Sequence, residues 1–174
     1  MTDEFVPVFE QERRFLVRDT AIILGAEWEL ITQAYVFSID GYAVRVRRVQ
    51  KPTDSGLAEG MAWLTAKGPR RGAKREEYDL EISPLFAHEV IHRSANVVRK
   101  RRYQVMIEHT WEVDEFLDAN AGLWIAELEG GNEIYGINPP EWIGRELLAD
   151  TRFNNEELAV NPFSEWADRD DLFG

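Results

Sequence analysis

Residues 75–82 read Arg75-Glu76-Glu77-Tyr78-Asp79-Leu80-Glu81-Ile82. Ionisable side chains occupy the odd-numbered positions, and Tyr, Leu and Ile occupy the last three even-numbered positions. Because the side chains of an extended strand alternate between its two faces, the odd-numbered charges share one face and point away from the apolar side. The stretch is therefore predicted to be a β-strand with one charged face and one apolar face.

The same alternation of charged residues recurs elsewhere in the chain. It is found at Glu10-Glu12-Arg14, Arg45-Arg47, Lys100-Arg102, Glu112-Asp114 and Glu127-Glu129. In two of these stretches the intervening residues are again apolar, as at Val44-Val46 and Ala126-Leu128. One such strand is ordinary, but six that carry both signs of charge indicate a single charged surface to which many strands contribute.

This periodicity predicts a mainly β (α+β) fold with eight antiparallel strands. They run near residues 7–17, 28–39, 42–49, 61–67, 75–82, 96–107, 109–116 and 123–130. Hairpins join most neighbours, and Asp40-Gly41 is a typical hairpin turn. We expect the strands to close into a β-barrel with a few peripheral helices, because the charged face is too rich in both signs for an idle solvated surface. An open sandwich is the alternative.

The segments between the strands carry loop and helix signals. Loops are predicted at 51–60 and 68–74, which contain Pro and Gly. Helical stretches are predicted after Asp19, from Pro84 to about Ser94 with Ser83 as N-cap, near 142–148 and near 155–160. The residues from Ser164 onward are acidic and are expected to be loose or peripheral.

Length and composition predict one folded domain over residues 1–174, with a core of about 8–159 and an acidic tail of about 160–174. Of the 174 residues, 44% are hydrophobic and 11% are aromatic, which is enough to fill a core. There is no apolar run of about 18 residues and no basic-then-apolar leader, so we expect no membrane partner. The absence of cysteine excludes disulfides and thiolate metal sites and is compatible with a cytoplasmic protein.

Charge is distributed unevenly along the chain. The formal net charge of −12 at pH 7 argues against non-specific nucleic-acid binding, which needs a basic face. Residues 1–107 contain 17 Lys and Arg against 15 Asp and Glu, whereas residues 108–174 contain 3 against 17. Since physiological salt screens charges beyond about 10 Å, a local cationic site can exist inside this acidic protein.

The charged strand faces together suit a polyphosphate and a divalent metal. The cations are Arg14, Arg45, Arg47, Lys67, Arg75, Lys100 and Arg102, and the carboxylates are Glu10, Glu12, Glu77, Asp79, Asp114, Glu127 and Glu129. Arginine forks and lysine ammonium groups bind phosphate oxygens. Carboxylates without cysteine or a histidine cluster match Mg²⁺ or Mn²⁺, which usually bridge protein oxygens to substrate phosphates. Phosphoryl transfer requires little beyond these groups and a positioned water.

Plainer interpretations exist for each part of this set. A single Glu-x-Glu is usually the solvated face of a strand, and a single Arg-x-Arg usually pairs with acidic neighbours across the sheet. Strand alternation splits the run 99–102 between two faces, which weakens it as a nucleic-acid site. His88 and His92 have helical spacing but no partner motif, and we interpret them as structural. The sequence contains no glycine-rich nucleotide-binding loop.

In their order along the chain, these motifs resemble the CYTH superfamily, the triphosphate tunnel metalloenzymes. Phe9-Glu10-Gln11-Glu12-Arg13-Arg14 is similar to that family's first Glu-x-Glu-x-Lys strand, Arg45-Val46-Arg47 to its Arg-x-Arg strand and Leu64-Thr65-Ala66-Lys67-Gly68 to its Leu-Thr-x-Lys-Gly strand. Segments similar to the later family motifs follow at 75–79, 100–103, 112–116, 126–129 and 152–155. Each motif alone is weak, but their joint order over about residues 8–159 is specific.

The resemblance implies an eight-stranded barrel whose tunnel binds a small-molecule triphosphate and Mg²⁺ or Mn²⁺. The phosphate chain would be bound by Arg14, Arg45, Arg47, Lys67, Arg75, Lys100 and Arg102. By similarity, Glu10, Glu12, Asp114, Glu127 and Glu129 would hold the metal; Glu77 and Asp79, from the charged strand faces, complete the candidate metal ligands. The candidate catalytic residues are Glu10, Glu12 and Arg14. Arg14 departs from the family's lysine, since arginine keeps the charge but cannot serve as a base.

The main hypothesis is a cytoplasmic, metal-dependent triphosphatase that prefers inorganic triphosphate. Water would attack a terminal phosphorus while the cations neutralise the developing charge. One alternative keeps the fold and cyclises ATP to cyclic AMP. Another is a non-catalytic module that binds polyphosphate or triphosphate, which the arginine at position 14 motivates. We expect no nucleic-acid partner and either a monomer or a homodimer.

Overall fold

An antiparallel β-sheet forms most of the molecule. The computed structural model describes residues 8–69, 74–147 and 150–173. Within them lie nine strands: β1 (Val8–Val17), β2 (Trp28–Ile39), β3 (Tyr42–Thr53), β4 (Gly56–Lys67), β5 (Lys74–Ile82), β6 (Val97–Ile107), β7 (His109–Phe116), β8 (Trp124–Glu129) and β9 (Ile143–Glu146). The predicted mainly β, antiparallel architecture with few helices is confirmed.

The strands follow the order β5-β4-β3-β2-β6-β7-β8-β1-β9. Strand β1 also pairs with β5, with Val8 opposite Glu77 and Gln11 opposite Lys74. The first half of β1 therefore lies beside β5, and its second half lies between β8 and β9. This arrangement makes β1 the strand that contacts the largest number of sheet neighbours in the described part of the chain.

The ninth strand corrects the predicted strand count and one predicted helix. The sequence predicts eight strands and a helix near 142–148, whereas Ile143–Glu146 forms β9 and pairs with β1. A Cβ on Gly144 would lie 3.2 Å from the Leu16 carbonyl oxygen, so glycine permits this close approach of the two backbones. A strand of four residues is too short to show the alternation that identifies the longer strands.

The predicted loop at 51–60 is replaced by an extended hairpin. Strand β3 continues to Thr53 and β4 begins at Gly56, so these two residues lie opposite each other. Gly56 has a φ of 129°, a conformation that favours glycine. The predicted turn at Asp40-Gly41 is confirmed, since both residues have positive φ as a two-residue hairpin requires. Of the predicted loop at 68–74, residues 70–73 lie outside the described residues.

The helices are short and lie at the periphery of the sheet. Helix α1 (Pro84–His92) begins where predicted, because Ser83 Oγ accepts a hydrogen bond from the Phe86 amide at 3.3 Å. Helix α2 (Asn155–Leu158) lies in the helical stretch predicted near 155–160. Short 3-10 helices occur at Thr20–Ile23, Asp118–Asn120, Asn132–Gly136, Thr151–Phe153, Phe163–Glu165 and Arg169–Phe173. In the described ranges, no helix has the length and apolar character needed to cross a membrane.

The largest hydrophobic cluster lies on the face of the sheet opposite the charged one. One buried cluster packs residues of β1, β6, β7 and β8, including Phe15 and Trp111, against Ile134 and Trp142. The Trp111 ring meets Phe15 and Trp142 edge to face, with centroids 5.9 and 5.5 Å away. This cluster explains why the charged residues of the same strands point away from it.

A second buried cluster joins the C-terminal segment to the sheet. Phe153 and Leu158 pack with Leu16 and Phe116. Trp166 is buried in the same cluster and meets Phe153 edge to face, with ring centroids 5.0 Å apart. The C-terminal segment is therefore packed at Trp166, which differs from the loose tail that the sequence leads us to expect.

Candidate active site

The charged faces of the strands meet around one cavity of about 190 Å³. All seven predicted cations line it: Arg14, Arg45, Arg47, Lys67, Arg75, Lys100 and Arg102. Five of the seven predicted metal ligands line it as well: Glu12, Glu77, Asp79, Glu127 and Glu129. Charges of both signs therefore converge on one shared volume instead of spreading over an outer wall.

The register of the strands places these side chains. In the β1–β8 pair, Glu12 lies opposite Glu129 and Arg14 lies opposite Glu127. In the β3–β4 pair, Arg45 lies opposite Thr65. Since residues two apart on a strand share a face, the register that turns one charged residue inward turns the whole alternating set of that strand inward.

Two predicted metal ligands are placed differently from the other five. The side chain of Glu10 lies outside the described residues. Asp114 is fully buried and is not part of the cavity lining. Arg102 Nε donates to Asp114 Oδ1 and Arg102 Nη2 donates to Asp114 Oδ2, each at 2.7 Å. Lys100 also donates to this carboxylate. Asp114 therefore holds the side chains of Lys100 and Arg102 in position without lining the cavity itself.

Burial and ion pairing shift the pKa values of Lys100 and Asp114 in opposite directions. Burial and the neighbouring charge of Arg102 lower the pKa of Lys100, and Asp114 compensates in part. Burial alone would raise the pKa of Asp114, but the charges and hydrogen bonds of Arg102 and Lys100 lower it below its usual range. Asp114 therefore remains ionised and keeps two cations in place at neutral pH.

One donor of Arg45 has no acceptor within the part of the chain that the structure describes. Its Nη2 donates to Thr65 Oγ1 at 3.1 Å, and Thr65 in turn donates to Asp79 Oδ1 at 2.5 Å. The Arg45 Nε atom is buried and has no hydrogen-bond partner among the described residues. An unsatisfied buried donor is costly, so an anionic ligand that accepts from it would relieve that cost.

Positive charge is in excess around Arg47. Its Nε donates to Gln33 Oε1 at 3.3 Å, and Gln33 donates to the Tyr35 hydroxyl at 3.0 Å. Burial, with Arg45 and Arg102 nearby, lowers the pKa of Arg47 to about 10. Cations that repel one another in a partly desolvated space favour a bound anion.

Three carboxylates form a candidate metal centre. Glu12, Glu127 and Glu129 each offer one oxygen, and these oxygens all lie within 4.8 Å of one another. The first two residues are buried and the third is exposed. A donor set made only of carboxylate oxygens suits a hard cation such as Mg²⁺ or Mn²⁺, so the residues present fit a divalent metal.

The two predicted metal ligands on β5, Glu77 and Asp79, accept hydrogen bonds from protein groups. Lys67 donates to Glu77, and Thr65 donates to Asp79. Neither carboxylate belongs to the three-carboxylate cluster found in the described part of the chain. These contacts cross-link β4 and β5 at the cavity wall.

The segment Phe153–Glu156 contacts two of the cavity's arginines. Arg14 donates to the Phe153 carbonyl oxygen at 3.2 Å and to Asn154 Oδ1 at 2.8 Å. Arg75 Nη1 donates to Glu156 Oε1 at 2.8 Å. Two cations predicted to bind phosphate are therefore also partners of the C-terminal segment.

Sequence reasoning missed four residues that line the cavity: Tyr35, Asn154, Asn155 and Glu156. Tyr35 lies on β2, where no pattern of alternating charge marks the inward face. Asn154 and Asn155 lie in the stretch 152–155 that resembles a late family motif, although no role is predicted for them, and Glu156 lies in the helical stretch predicted near 155–160. All three reach the cavity through the packing of Phe153 and Leu158. The family resemblance at 152–155 is the signal in the sequence that points to this segment.

Sequence comparison finds a relative that spans nearly the whole chain. The inorganic triphosphatase of Acetivibrio thermocellus is 38% identical over 157 residues, which cover 88% of this chain and 95% of that protein. No protein-family model matches the chain.

Structural comparison finds proteins with the same fold. The inorganic triphosphatase NE1496 matches with a TM-score of 0.61 and 24% identity, covering 87% of this chain and 97% of that one. A protein from Hippeastrum, described as a putative adenylyl cyclase with a dominant triphosphatase activity, matches with a TM-score of 0.52 and 14% identity. That match covers 73% of this chain and 82% of the other. At these identities the structural matches establish the fold.

Proposed function

This chain belongs to the CYTH superfamily, the triphosphate tunnel metalloenzymes, and from that membership we propose that it hydrolyses inorganic triphosphate with a divalent metal. The observation that carries the proposal is the cavity in which seven cations and a cluster of three carboxylates face the same volume. The relative from Acetivibrio thermocellus, named an inorganic triphosphatase, supports the choice of substrate.

A closed eight-stranded barrel is part of this proposal. The pairing of β1 with β5 links the first strand of the series β5-β4-β3-β2-β6-β7-β8-β1 to its last, and β9 is added outside that ring. Closure would enclose the charged strand faces in a tunnel and leave the apolar faces outside, where Ile134 and Trp142 cover those of β1, β6, β7 and β8.

The cations of the cavity would bind the phosphate chain. Arg45 offers its buried Nε, which has no acceptor among the described residues, and Arg47 lies where positive charge is in excess. Arginine forks orient phosphate oxygens as well as attract them, so the chain would be aligned along the tunnel. Asp114 would act through Lys100 and Arg102, because it fixes both side chains from behind the wall.

Glu12, Glu127 and Glu129 would hold the metal, with Glu10 as a further candidate on β1. When bound, Mg²⁺ or Mn²⁺ neutralises charge on substrate oxygens and makes a nearby water more acidic. Glu127 also accepts a hydrogen bond from Arg102, which places the metal side and the phosphate side of the cavity in contact.

In the proposed reaction, the oxygen of a water forms a bond to a terminal phosphorus, and the bond from that phosphorus to the bridging oxygen breaks. The products are orthophosphate and diphosphate. Arg14 cannot take the proton of the water, because a guanidinium keeps its proton throughout the physiological range. Glu12, whose Oε1 lies 3.4 Å from Arg14 Nε, would orient the water and accept its proton through one carboxylate oxygen while the other holds the metal, and Arg14 would neutralise charge.

A phosphate-release assay tests this function. The intact protein is incubated with inorganic triphosphate, thiamine triphosphate or ATP, each with Mg²⁺, with Mn²⁺ and without metal. We expect metal-dependent release with the highest kcat/KM for inorganic triphosphate. The variant Arg47→Gln should lose at least about 100-fold in kcat/KM, whereas Arg99→Gln, an exposed charge outside the cavity, should not.

Two results would reject the proposal. One is the absence of metal-dependent phosphate release from a folded sample. The other is the formation of cyclic AMP as the main product from ATP, which mass spectrometry of the products detects and which would support the cyclase alternative.

A further inference from the structure

Tyr35 brings an uncharged hydroxyl to a cavity whose other described lining residues carry charged or amide side chains. Strand β2 places Tyr35 directly opposite Arg45 on β3, and it places Gln33 opposite Arg47. Since residues two apart on a strand share a face, Gln33 and Tyr35 both lie on the side of the sheet that carries these arginines. Tyr35 is 5% exposed and Gln33 is 0% exposed. The hydroxyl is therefore a buried polar group at the cavity wall.

The hydrogen bonds around Gln33 can run in one direction only. Arg47 Nε lies 3.3 Å from Gln33 Oε1, and a guanidinium has donors but no acceptor. The amide oxygen of Gln33 must therefore face Arg47, which leaves the amide nitrogen facing the Tyr35 hydroxyl at 3.0 Å. That nitrogen is a donor, so the hydroxyl oxygen accepts. Arg47 thus decides, through Gln33, which end of the amide Tyr35 meets.

The proton of the Tyr35 hydroxyl has to point away from Gln33. A phenolic hydroxyl donates one hydrogen bond, and the amide nitrogen of Gln33 cannot accept it. Within residues 8–69, 74–147 and 150–173, no group accepts a hydrogen bond from this hydroxyl. Arg45 Nε, on the neighbouring strand, is a buried donor that also has no acceptor in those ranges. Two such donors at one cavity wall would both be satisfied by an anion that offers several oxygens.

The hydroxyl keeps its proton throughout the physiological pH range. Burial and the nearby charge of Glu156 raise the pKa of Tyr35 above its usual range, and the charges of Arg45 and two further arginines oppose this only in part. A neutral donor adds a hydrogen bond to an anion without adding charge to a cavity in which the cations already repel one another.

We propose that Tyr35 is a substrate-binding residue whose hydroxyl donates a hydrogen bond to an oxygen of the phosphate chain beside Arg45, and that Gln33 positions this hydroxyl. The inference deepens the proposed function and rests on it. Arginine and lysine attract a phosphate chain over a wide range of directions. A hydroxyl whose proton is held in one direction selects one oxygen of that chain, and it thereby helps to set the position of the chain along the tunnel.

The first experiment removes the hydroxyl and keeps the ring. With inorganic triphosphate and divalent metal, Tyr35→Phe should lower kcat/KM about 10–100-fold, because a hydrogen bond to a charged group is lost. The loss should lie mainly in KM, since the bond forms with the bound substrate as well as in the transition state. The control Tyr103→Phe changes another buried tyrosine, which donates to Glu115 and does not line the cavity, and it should keep the wild-type kcat/KM.

A second background tests the direction of the hydrogen bonds. In Gln33→Glu, the new carboxylate accepts from both Arg47 and Tyr35, so the hydroxyl proton turns away from the cavity. Adding Tyr35→Phe to that variant should therefore lower kcat/KM by less than about threefold. The extra negative charge is common to both proteins of this pair and cancels from their comparison. A purely structural role of Tyr35 would give the same loss in both backgrounds, and that result overturns the inference.

Calorimetry of inorganic triphosphate without added metal separates this inference from the proposed function. Binding to Tyr35→Phe that is at least about tenfold weaker than to wild type supports the inference even if neither protein turns over, in which case the proposed function fails alone. Equal binding overturns the inference and leaves the proposed function intact.

A measurement on wild type decides the matter if circular dichroism shows that Tyr35→Phe does not fold. The protein is labelled with tyrosine that carries ¹³C at Cζ and is titrated with inorganic triphosphate. Among the described residues, Tyr35 is the tyrosine that lines the cavity, so one signal should move downfield as its hydroxyl begins to donate to the anion. If triphosphate binds and no tyrosine signal moves, the inference is wrong.

Discussion

Glu12 on β1 lies directly opposite Glu129 on β8, so two acidic side chains occupy a cross-strand pair at the cavity wall. Like charges placed opposite each other destabilise a sheet. Glu127 lies close enough for one oxygen of each of the three carboxylates to fall within 4.8 Å of the others. Such a cluster is stabilised by a bound cation, and the first prediction follows from this.

Removal of one carboxylate from the cluster should weaken metal binding. Glu129→Gln should raise the Mg²⁺ or Mn²⁺ concentration needed for half-maximal activity by about 10–100-fold. In thermal melts, divalent metal should raise the Tm of wild type more than that of the variant. The control Glu141→Gln changes an exposed residue outside the cluster and should respond to metal as wild type does. Equal metal responses of Glu129→Gln and wild type would remove this carboxylate from the proposed centre.

Asp114 should be needed for stability rather than for metal binding. Asp114→Asn leaves Lys100 and Arg102 buried without their shared carboxylate, and loss of one partner from a buried charge network costs about 3–5 kcal/mol. Urea denaturation should therefore show a lower free energy of unfolding. A variant of wild-type stability whose metal requirement has risen instead would make Asp114 a metal ligand.

Arg14→Lys should separate the structural contacts of this side chain from its contribution of positive charge to the cavity. Lysine keeps the positive charge but cannot reproduce the fork that contacts the Phe153 carbonyl oxygen and Asn154. We expect the free energy of unfolding to fall by about 1–3 kcal/mol and amide exchange to rise in residues 153–158. Activity should stay within about tenfold of wild type, since the charge is retained. A large loss of activity with unchanged amide exchange would mean that the fork itself binds the substrate.

The contribution of the Arg75–Glu156 pair to stability should depend on pH. Because the folded state lowers the pKa of Glu156 below its ordinary value of 4.5, the pair stabilises the protein above that value and loses its effect as pH falls below it. Wild type should therefore exceed Glu156→Gln in stability by about 1–3 kcal/mol at pH 7. The difference should shrink as pH falls below 4.5. Glu165→Gln should differ little from wild type at either pH, and a difference for Glu156→Gln that grows on acidification would contradict the assignment.

Much of the strand framework and the charged lining could be predicted from the sequence. The alternation at Arg45-Arg47 and Lys100-Arg102 is a local property with a period of two, and it identifies the inward face wherever a strand forms. Six of the seven predicted cations lie in such alternating stretches, Lys67 being the exception, and all seven line the cavity. The roles of individual residues in binding and catalysis stay predictions.

Other features depend on pairings that leave no mark in the local sequence. Strand β9 forms because its backbone pairs with β1, and Gly144 allows the close approach to the Leu16 carbonyl oxygen. The extended β3–β4 hairpin forms in a segment whose Pro and Gly content is typical of a loop. In both segments the tertiary partner decides the structure.

The sequence by itself determined which strand faces are charged and which are apolar, because alternation along a strand is a local rule that does not require a partner. Only the tertiary structure decided which charges meet. Arg75 and Glu156 are separated by 81 residues, and they pair because Phe153 and Leu158 pack into the core and carry the carboxylate to the cavity wall. Packing of this kind sums many non-local contacts, so the spacing of residues along the chain could not reveal it.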